Sequence, residues 1–375
     1  MDKNTQHQLP WQPLFTIERS NRAEVSVYGI VSVIEGTAQS SDLSLPLKSR
    51  YKTVLATGDT DYELWTRSLL KPWQLASHID TLKRHYPDLK DEHFALFMAS
   101  HSGEDCHLKA LDEILAITKV SEDWLKCPQA KPVAAEMQQL KMEAKRRYHN
   151  CSGKHSSYLA ALMAEHQPVD TYTDADRPHH QDLLRILSAI AGRAEQSFIH
   201  TTDGCQLPNY AMSTFELACS YQSLLMPVID GLVFNNMPAK DDTFAKNMSH
   251  YHKLGQLMHE HPRLVSGDSR LDYKLMTNQY LPQDNGYVIA KEGADGLLGI
   301  GIKSAKYPYG AGLCIKLSSG FDKRHMELIS KEIFKQLGLY QSGKDAKKSA
   351  SDTIKTDHIK TNFHFELEQK LCLSQ

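Results

Sequence analysis

Ser68 and Lys71 stand three residues apart in Arg67-Ser68-Leu69-Leu70-Lys71-Pro72. On a helical turn that spacing puts both side chains on one face, with Cβ atoms about 5–6 Å apart. A serine hydroxyl becomes a nucleophile when a base takes its proton. A lysine is that base only while its amine is neutral, a state favoured by burial or a nearby positive charge, which Arg67 could supply. A solvated helix start explains the same spacing. A second serine lies in Ala99-Ser100-His101-Ser102-Gly103-Glu104, between the apolar stretch Phe94–Met98 and a helix. Sites often form at the end of a buried segment. A turn with Ser102 capping and Glu104 near the helix start is the plainer alternative.

His149-Asn150-Cys151-Ser152-Gly153-Lys154-His155 gathers two histidines, a cysteine and a lysine. That set suggests a metal or an activated thiol, or else a polar loop opening a helix around a buried Cys151. Gly153-Lys154 does not end a phosphate-binding loop, because G-x-x-x-x-G-K-[ST] needs glycine where Tyr148 stands and a hydroxyl residue where His155 stands. Cys205 follows the Asp203-Gly204 turn. Cys151 and Cys205 could share Zn²⁺ with an O or N donor, or be structural cysteines of the core. Lys291-Glu292-Gly293-Ala294-Asp295-Gly296 is either a glycine-rich hairpin with a solvated lysine or a second lysine aimed into a cleft, its proton loosened by cationic neighbours.

The elements that must position these residues change character along the chain. Glu24–Glu35 reads as a strand, with a bend at Gly29, and Tyr51–Thr57 as another. Helical spacing follows over Lys71–Arg84, Glu104–Thr118, Gly153–His166, Gln181–Ala194, Tyr210–Leu225 and Asp241–Glu260. Gly286–Ala290, Leu297–Lys303 and Ala311–Lys316 return to short strands. Asp322 offers an N-cap, Met326, Ile329, Ile333 and Leu337 an apolar stripe, and Gly338 a C-cap. Ile359, Thr361, Phe363, Phe365 and Leu367 then alternate with mostly polar residues, which brings the C-terminus back into a sheet beside the N-terminal strands. The expected class is α+β, with an antiparallel sheet built from both chain ends and a helical lobe. Residues 1–20 are read as a loose N-terminal segment, 21–340 as one α/β body with its helical lobe, 341–355 as a polar linker or loop, and 356–375 as the returning strand.

Lys and Arg number 43 and Asp and Glu 45, a net charge of −2 over 375 residues. That balance lacks the long-range field of a nucleic-acid binder. No apolar run reaches the ~18–20 residues that span a bilayer. The start, MDKNTQHQLPW, lacks a secretory pattern, and seven cysteines are an odd count for a disulfide scaffold. A cytoplasmic protein acting on a small molecule, with no nucleic-acid or membrane partner, is the expectation.

Together, R-S-x-x-K-P-x-Q (Arg67–Gln74), S-H-x-G-E (Ser100–Glu104), H-N-C-S-G-K-H (His149–His155), D-G-C-x-x-P (Asp203–Pro208) and K-x-G-A-[DE]-G (Lys291–Gly296) resemble the Rhizobium etli-type L-asparaginase family, in that family's order. The resemblance extends from about residue 24 to the terminal strand. It implies a fold similar to serine β-lactamases and serine-dependent glutaminases, and a homodimer that hydrolyses L-asparagine to L-aspartate and ammonia. It also implies catalytic pairs Ser68–Lys71 and Ser100–Lys291, and a zinc ion bound near the substrate by Cys151, Lys154 and Cys205. Arg67, Glu104, His155 and Asp203 fall on positions that line the family's site. A lysine ligates only when neutral, so zinc binding should weaken as pH falls. The sequence departs from the pattern at Val25 and Val27, where the family has serine and histidine, and at Gln206, where it has glycine. The expected chemistry is attack by Ser68 after Lys71 takes its proton, then hydrolysis of the ester with Ser100 and Lys291 relaying protons. The rival readings are a glutaminase or other serine acylase on the same scaffold, and a catalytically silent zinc- or amino-acid-binding homologue.

Overall fold

The computed structural model describes residues 9–20, 22–225, 242–277, 286–320, 322–339 and 359–361. Its main sheet has seven strands, all pairs antiparallel: β1 (Gln12–Arg19), β2 (Arg22–Gly36), β3 (Tyr51–Thr57), β7 (Tyr287–Gly293), β8 (Leu297–Ser304), β9 (Tyr307–Leu317) and β10 (Ile359–Thr361). The order is β10-β1-β2-β9-β8-β7. On one side of β2, β1 pairs with Arg22–Gly29 and β3 with Val31–Gly36, while β9 takes the other side. A second sheet of three strands, β4 (Glu63–Trp65), β6 (Pro208–Ser213) and β5 (His200–Thr202), is ordered β4-β6-β5.

The Val- and Ile-rich half of β2 is buried on both faces, with Val31, Val33 and Ile34 at 0% exposure. The helix Thr214–Ser223 lies across β2, β8 and β9 and is buried on every side. It starts from a capping box in which Ser213 and Glu216 bond each other's backbone N–H. Gly312 of β9 lets it settle, since a Cβ there would stand 1.8 Å from the Ala218 carbonyl oxygen. Asp322 caps the helix Lys323–Gln336 by accepting the His325 N–H at 2.9 Å. Met326, Ile329, Ile333 and Leu337 are buried as their spacing predicts, and Gly338 ends the turn at φ +67°.

The helical lobe contains Lys71–Ala76, Ile79–His85, Asp91–Phe97, Asp105–Thr118, Ser152–Ala164, Pro178–Ala191 and Asp242–Glu260. Ser152–Ala164 is its centre, buried from Ser152 through Leu162. One hydrophobic core runs from Leu14 to Leu339 and joins lobe and sheet. No helix among the described residues is long and apolar enough to cross a membrane.

Three local expectations are corrected. Residues 12–19 are not loose but form β1, anchored by Leu14 and Phe15 at 0% and 1% exposure. The helix expected over Lys71–Arg84 breaks at Ser77 and His78 into two. The first quarter of Tyr210–Leu225 belongs to β6, which is buried on both faces and so shows no alternation. Glu24–Glu35 lies within β2, one continuous strand through Gly29. The polar stretch 341–355 lies outside the described residues, as does the returning strand beyond Thr361; Ile359–Thr361 pairs with Ile17–Phe15 as expected.

Candidate active site

Arg67–Leu70 forms a 3₁₀ turn that runs into the helix Lys71–Ala76, with Pro72 in its first turn, where a missing N–H is harmless. Leu69 and Leu70 anchor the turn in the core, and the Leu69 carbonyl accepts from the Tyr221 hydroxyl at 3.0 Å. Arg67 has φ +49°, a left-handed conformation that costs a non-glycine residue about 1–3 kcal/mol. Asn209 of β6 holds it there: its Oδ1 accepts the Arg67 N–H at 3.0 Å and the Thr66 hydroxyl at 3.1 Å. The Arg67 side chain pairs with Asp203 at 2.7 Å and with Asp295. Ser68, half-buried, makes no side-chain hydrogen bond among the described residues, while Lys71 is fully buried.

Ser100 sits in the loop between the helices Asp91–Phe97 and Asp105–Thr118. Its N–H bonds the Val265 carbonyl at 3.0 Å, and the His101 N–H bonds Asn150 O at 3.2 Å. His101 accepts the Gly103 N–H at Nδ1, so Nε2 carries the ring proton and faces the Ser152 hydroxyl at 2.8 Å. Burial keeps this imidazole neutral. Lys71 Nζ reaches Ser100 Oγ at 2.9 Å, Asn150 O at 3.5 Å and the Ala99 carbonyl. Lys71 therefore partners Ser100; no hydrogen bond joins the Ser68 and Lys71 side chains, or those of Ser100 and Lys291, among the described residues. Burial pushes the Lys71 amine below its ordinary range, the Cys151 thiolate pulls it back, and the Lys154 charge pushes it down again.

Cys151, at the start of Ser152–Ala164, and Cys205, in the turn after Asp203, face each other as free thiols. The hydrogen bond from Cys205 holds Cys151 well below the usual thiol range, with Lys71 and Lys154 adding to it, and Cys205 is pushed up correspondingly. Lys154 Nζ lies 3.2 Å from Cys205 Sγ, and the two sulfurs with Asp203 hold its proton on against burial. Two buried sulfurs and an amine are a donor set of the kind that suits Zn²⁺, and they fit the metal once Cys205 and Lys154 give up the protons they hold without it. Asp203 Oδ2 is 3.6 Å from Cys205 Sγ and links this cluster to Arg67. Gln206 takes the left-handed conformation, φ +76°, at the position where glycine was expected.

His155 and Glu104 are placed differently. His155 is fully buried, its Nδ1 is 2.6 Å from the Tyr172 hydroxyl, and its Nε2 has no hydrogen-bond partner among the described residues. Burial, then the Lys154 charge, keeps it neutral. Glu104 is the N-cap of Asp105–Thr118; its carboxylate pairs with Arg263 at 2.6 Å and accepts the Asp268 N–H at 2.9 Å. Glu104, Cys106 and His107 come within ligating distance of one another. They form no free donor set, because His107 accepts the Glu104 N–H at one nitrogen and bonds Arg263 O at the other.

Lys291 of β7 is fully buried, with Nζ 3.4 Å from Asp272 Oδ2 and 3.3 Å from Glu292 O. Burial lowers its pKa to about 7, Asp272 opposes this, and Arg270 and Lys71 add to it. Asp272, Arg270, Asn150 and Asn209 were not marked as site residues by the sequence. Asn150 and Asn209 lie inside or beside motifs that were read, whereas Arg270 and Asp272 carry no spacing signal at all.

A sequence profile described as L-asparaginase II matches residues 45–363. No curated protein matches the chain. Among solved structures, the chain is similar to the chromosome-encoded β-lactamase of Vibrio parahaemolyticus, with 12% identity, a TM-score of 0.37, and coverage of 82% of this chain and 94% of that one. A mutant class A β-lactamase of the last common ancestor of Gram-negative bacteria is similar at 10% identity and TM-score 0.36, covering 83% and 94%.

Proposed function

The chain belongs to the L-asparaginase II family, and from that premise we propose that it hydrolyses L-asparagine to L-aspartate and ammonia through a serine acyl-enzyme, in the manner of the Rhizobium etli-type enzymes whose five motifs it carries. The observation that carries the reading is Lys71: a buried amine in contact with a serine, with the Cys151 thiolate as an anionic neighbour and no carboxylate bonded to it among the described residues. A neutral amine has two N–H groups and one lone pair. The two carbonyls of Ala99 and Asn150 take the N–H groups, and the lone pair remains for a hydroxyl proton.

Ser68, three residues before Lys71 and with a hydroxyl free of hydrogen bonds among the described residues, is the serine presented to substrate. Its oxygen attacks the side-chain amide carbon as Lys71 accepts its proton. Ser100, bonded to Lys71, delivers a proton to the departing nitrogen, which leaves as ammonia and gives an aspartyl ester, and Lys71 then passes the proton it took from Ser68 to Ser100 and is neutral again. Lys291 takes a proton from the water that cleaves the ester and returns it to the Ser68 oxygen as the ester C–O bond breaks. Arg67, held by Asp203 and Asn209, is placed to meet the substrate carboxylate. Zinc would be held by Cys151, Lys154 and Cys205; when bound, it supplies a positive charge that orients the substrate's polar groups.

The test is ammonia release from asparagine and from glutamine by the wild type, S68A and S100A. The wild type should prefer asparagine. S68A should lose at least about a thousandfold in kcat, and S100A about a hundredfold or more, the usual scale for a lost nucleophile or proton donor. Near wild-type rates in both variants would refute the serine mechanism.

A further inference from the structure

Resting on the serine–lysine reading above, we propose that Asp272 is the positioning residue of Lys291: a buried carboxylate that fixes the amine in the site and governs when it yields its proton. Both side chains are fully buried. Asp272 opens the helix Leu271–Met276 and faces β7 across a contact made by no other acid on that helix turn. Its Oδ1 accepts the Ser266 hydroxyl and the Tyr273 N–H at 3.1 Å. Its Oδ2 accepts the Glu292 N–H at 3.1 Å and lies 3.4 Å from Lys291 Nζ. Two backbone N–H groups and a hydroxyl thus clamp the carboxylate, and it cannot turn away from the amine.

The neighbouring charges are already matched. Arg270 is 3.6 Å from Asp272 Oδ1 but only 2.6 Å from Glu292, whose other oxygen accepts the Leu271 N–H at 2.8 Å. Arg270 therefore bonds Glu292 most closely and also faces one oxygen of Asp272, whose other oxygen faces Lys291. The charged groups that act on Lys291 are Asp272 and Arg270 from the segment opposite, Lys71 from the helix Lys71–Ala76, and Glu292 beside it on β7. Lys71 and Arg270 drive the proton off. Asp272 is the nearest group that retains it.

The experiment is the pH dependence of kcat for ammonia release by the wild type and by Asp272→Asn, which preserves shape and removes the charge. Lys291 works as a base in the ester-cleaving step, so its titration sets an ascending limb. In D272N that limb should move to lower pH by about one unit or more, the scale on which a close opposite charge shifts a lysine, with KM little changed because Asp272 touches no substrate. Asp272→Glu should return the limb toward the wild type. A limb that stays in place while kcat falls equally at all pH values would leave Asp272 a structural residue and overturn the proposal. If D272N does not fold, Arg270→Gln decides: removing a cation beside Lys291 should move the limb to higher pH, and an acid shift or none overturns the proposal. Should the wild type release no ammonia at any pH, the functional reading fails by itself. Asp272 is then judged by the pH dependence of Lys291 carbamylation by cyanate, followed by peptide mass spectrometry: onset at lower pH in D272N supports the proposal, and unchanged onset overturns it.

Discussion

Lys291→Met keeps the length of the side chain and deletes the amine, which turns the burial of a lysine into a measurable slope. The folded protein releases the Lys291 proton at about pH 7, against 10.5 for an ordinary lysine, while the unfolded chain keeps it up to the higher value. Below about pH 7 both states are protonated, and folding carries the full penalty of burying the cation. Between about 7 and 10.5 folding expels the proton, so the penalty shrinks as pH rises and disappears above the upper value. At about 1.36 kcal/mol per pH unit, the wild type should gain on K291M by about 2 kcal/mol between pH 7 and pH 9. Asp272, left facing Arg270 in the variant, adds an offset that does not change over this range, so the slope alone is the observable. Urea melts of both proteins at several pH values give the difference directly, and subtraction removes the titrating groups that do not interact with Lys291. A flat difference would mean that Lys291 keeps its proton in the folded state throughout, which would end its role as a base. A wild type that loses ground as pH rises would reverse the sign of the whole electrostatic picture around β7.

Other outcomes follow from the same geometry. The purified protein should carry zinc, C151S and C205S should each lose it by elemental analysis, and acidification to about pH 6 should release it as thiols and Lys154 regain protons. Gly312→Ala should destabilise the fold by roughly 3 kcal/mol in urea, since its Cβ would overlap the Ala218 carbonyl of a packed helix and no rotamer relieves a backbone clash.

Groupings within one motif were legible in the sequence: Ser68 and Lys71 lie in one, and Cys151 and Lys154 in another, although the Lys71 amine bonds Ser100 and not the Ser68 hydroxyl. The apolar stripe of Lys323–Gln336 was equally plain, because one face of that helix is buried and the other wet. Partnership across the fold was not legible. Lys71 meets Ser100 only because the helix Lys71–Ala76 abuts the loop that follows Asp91–Phe97. Lys291 meets Asp272 across nineteen residues that contain no periodicity. β1 was hidden for a different reason: Gln12-Pro13-Leu14-Phe15 carries a proline and pairs through a register shift, so its two core residues sit side by side instead of alternating. β6 was hidden by being wholly buried and by running straight into the next helix, which begins at Thr214 directly after its last residue, Ser213.

The order of strands also dictates the order in which this protein can be made. A ribosome releases residues 22–36 early, yet β2 acquires its neighbour on one whole side only when Tyr307–Leu317 has been synthesised. Until then a strand as apolar as Val31–Ile34 must wait with an open edge, the kind of surface that chaperones hold and that aggregates when they do not. The strand that carries Lys291 emerges only shortly before that. Nascent fragments that stop short of β9 would therefore be sticky, and the candidate site would assemble only once β9 had been made.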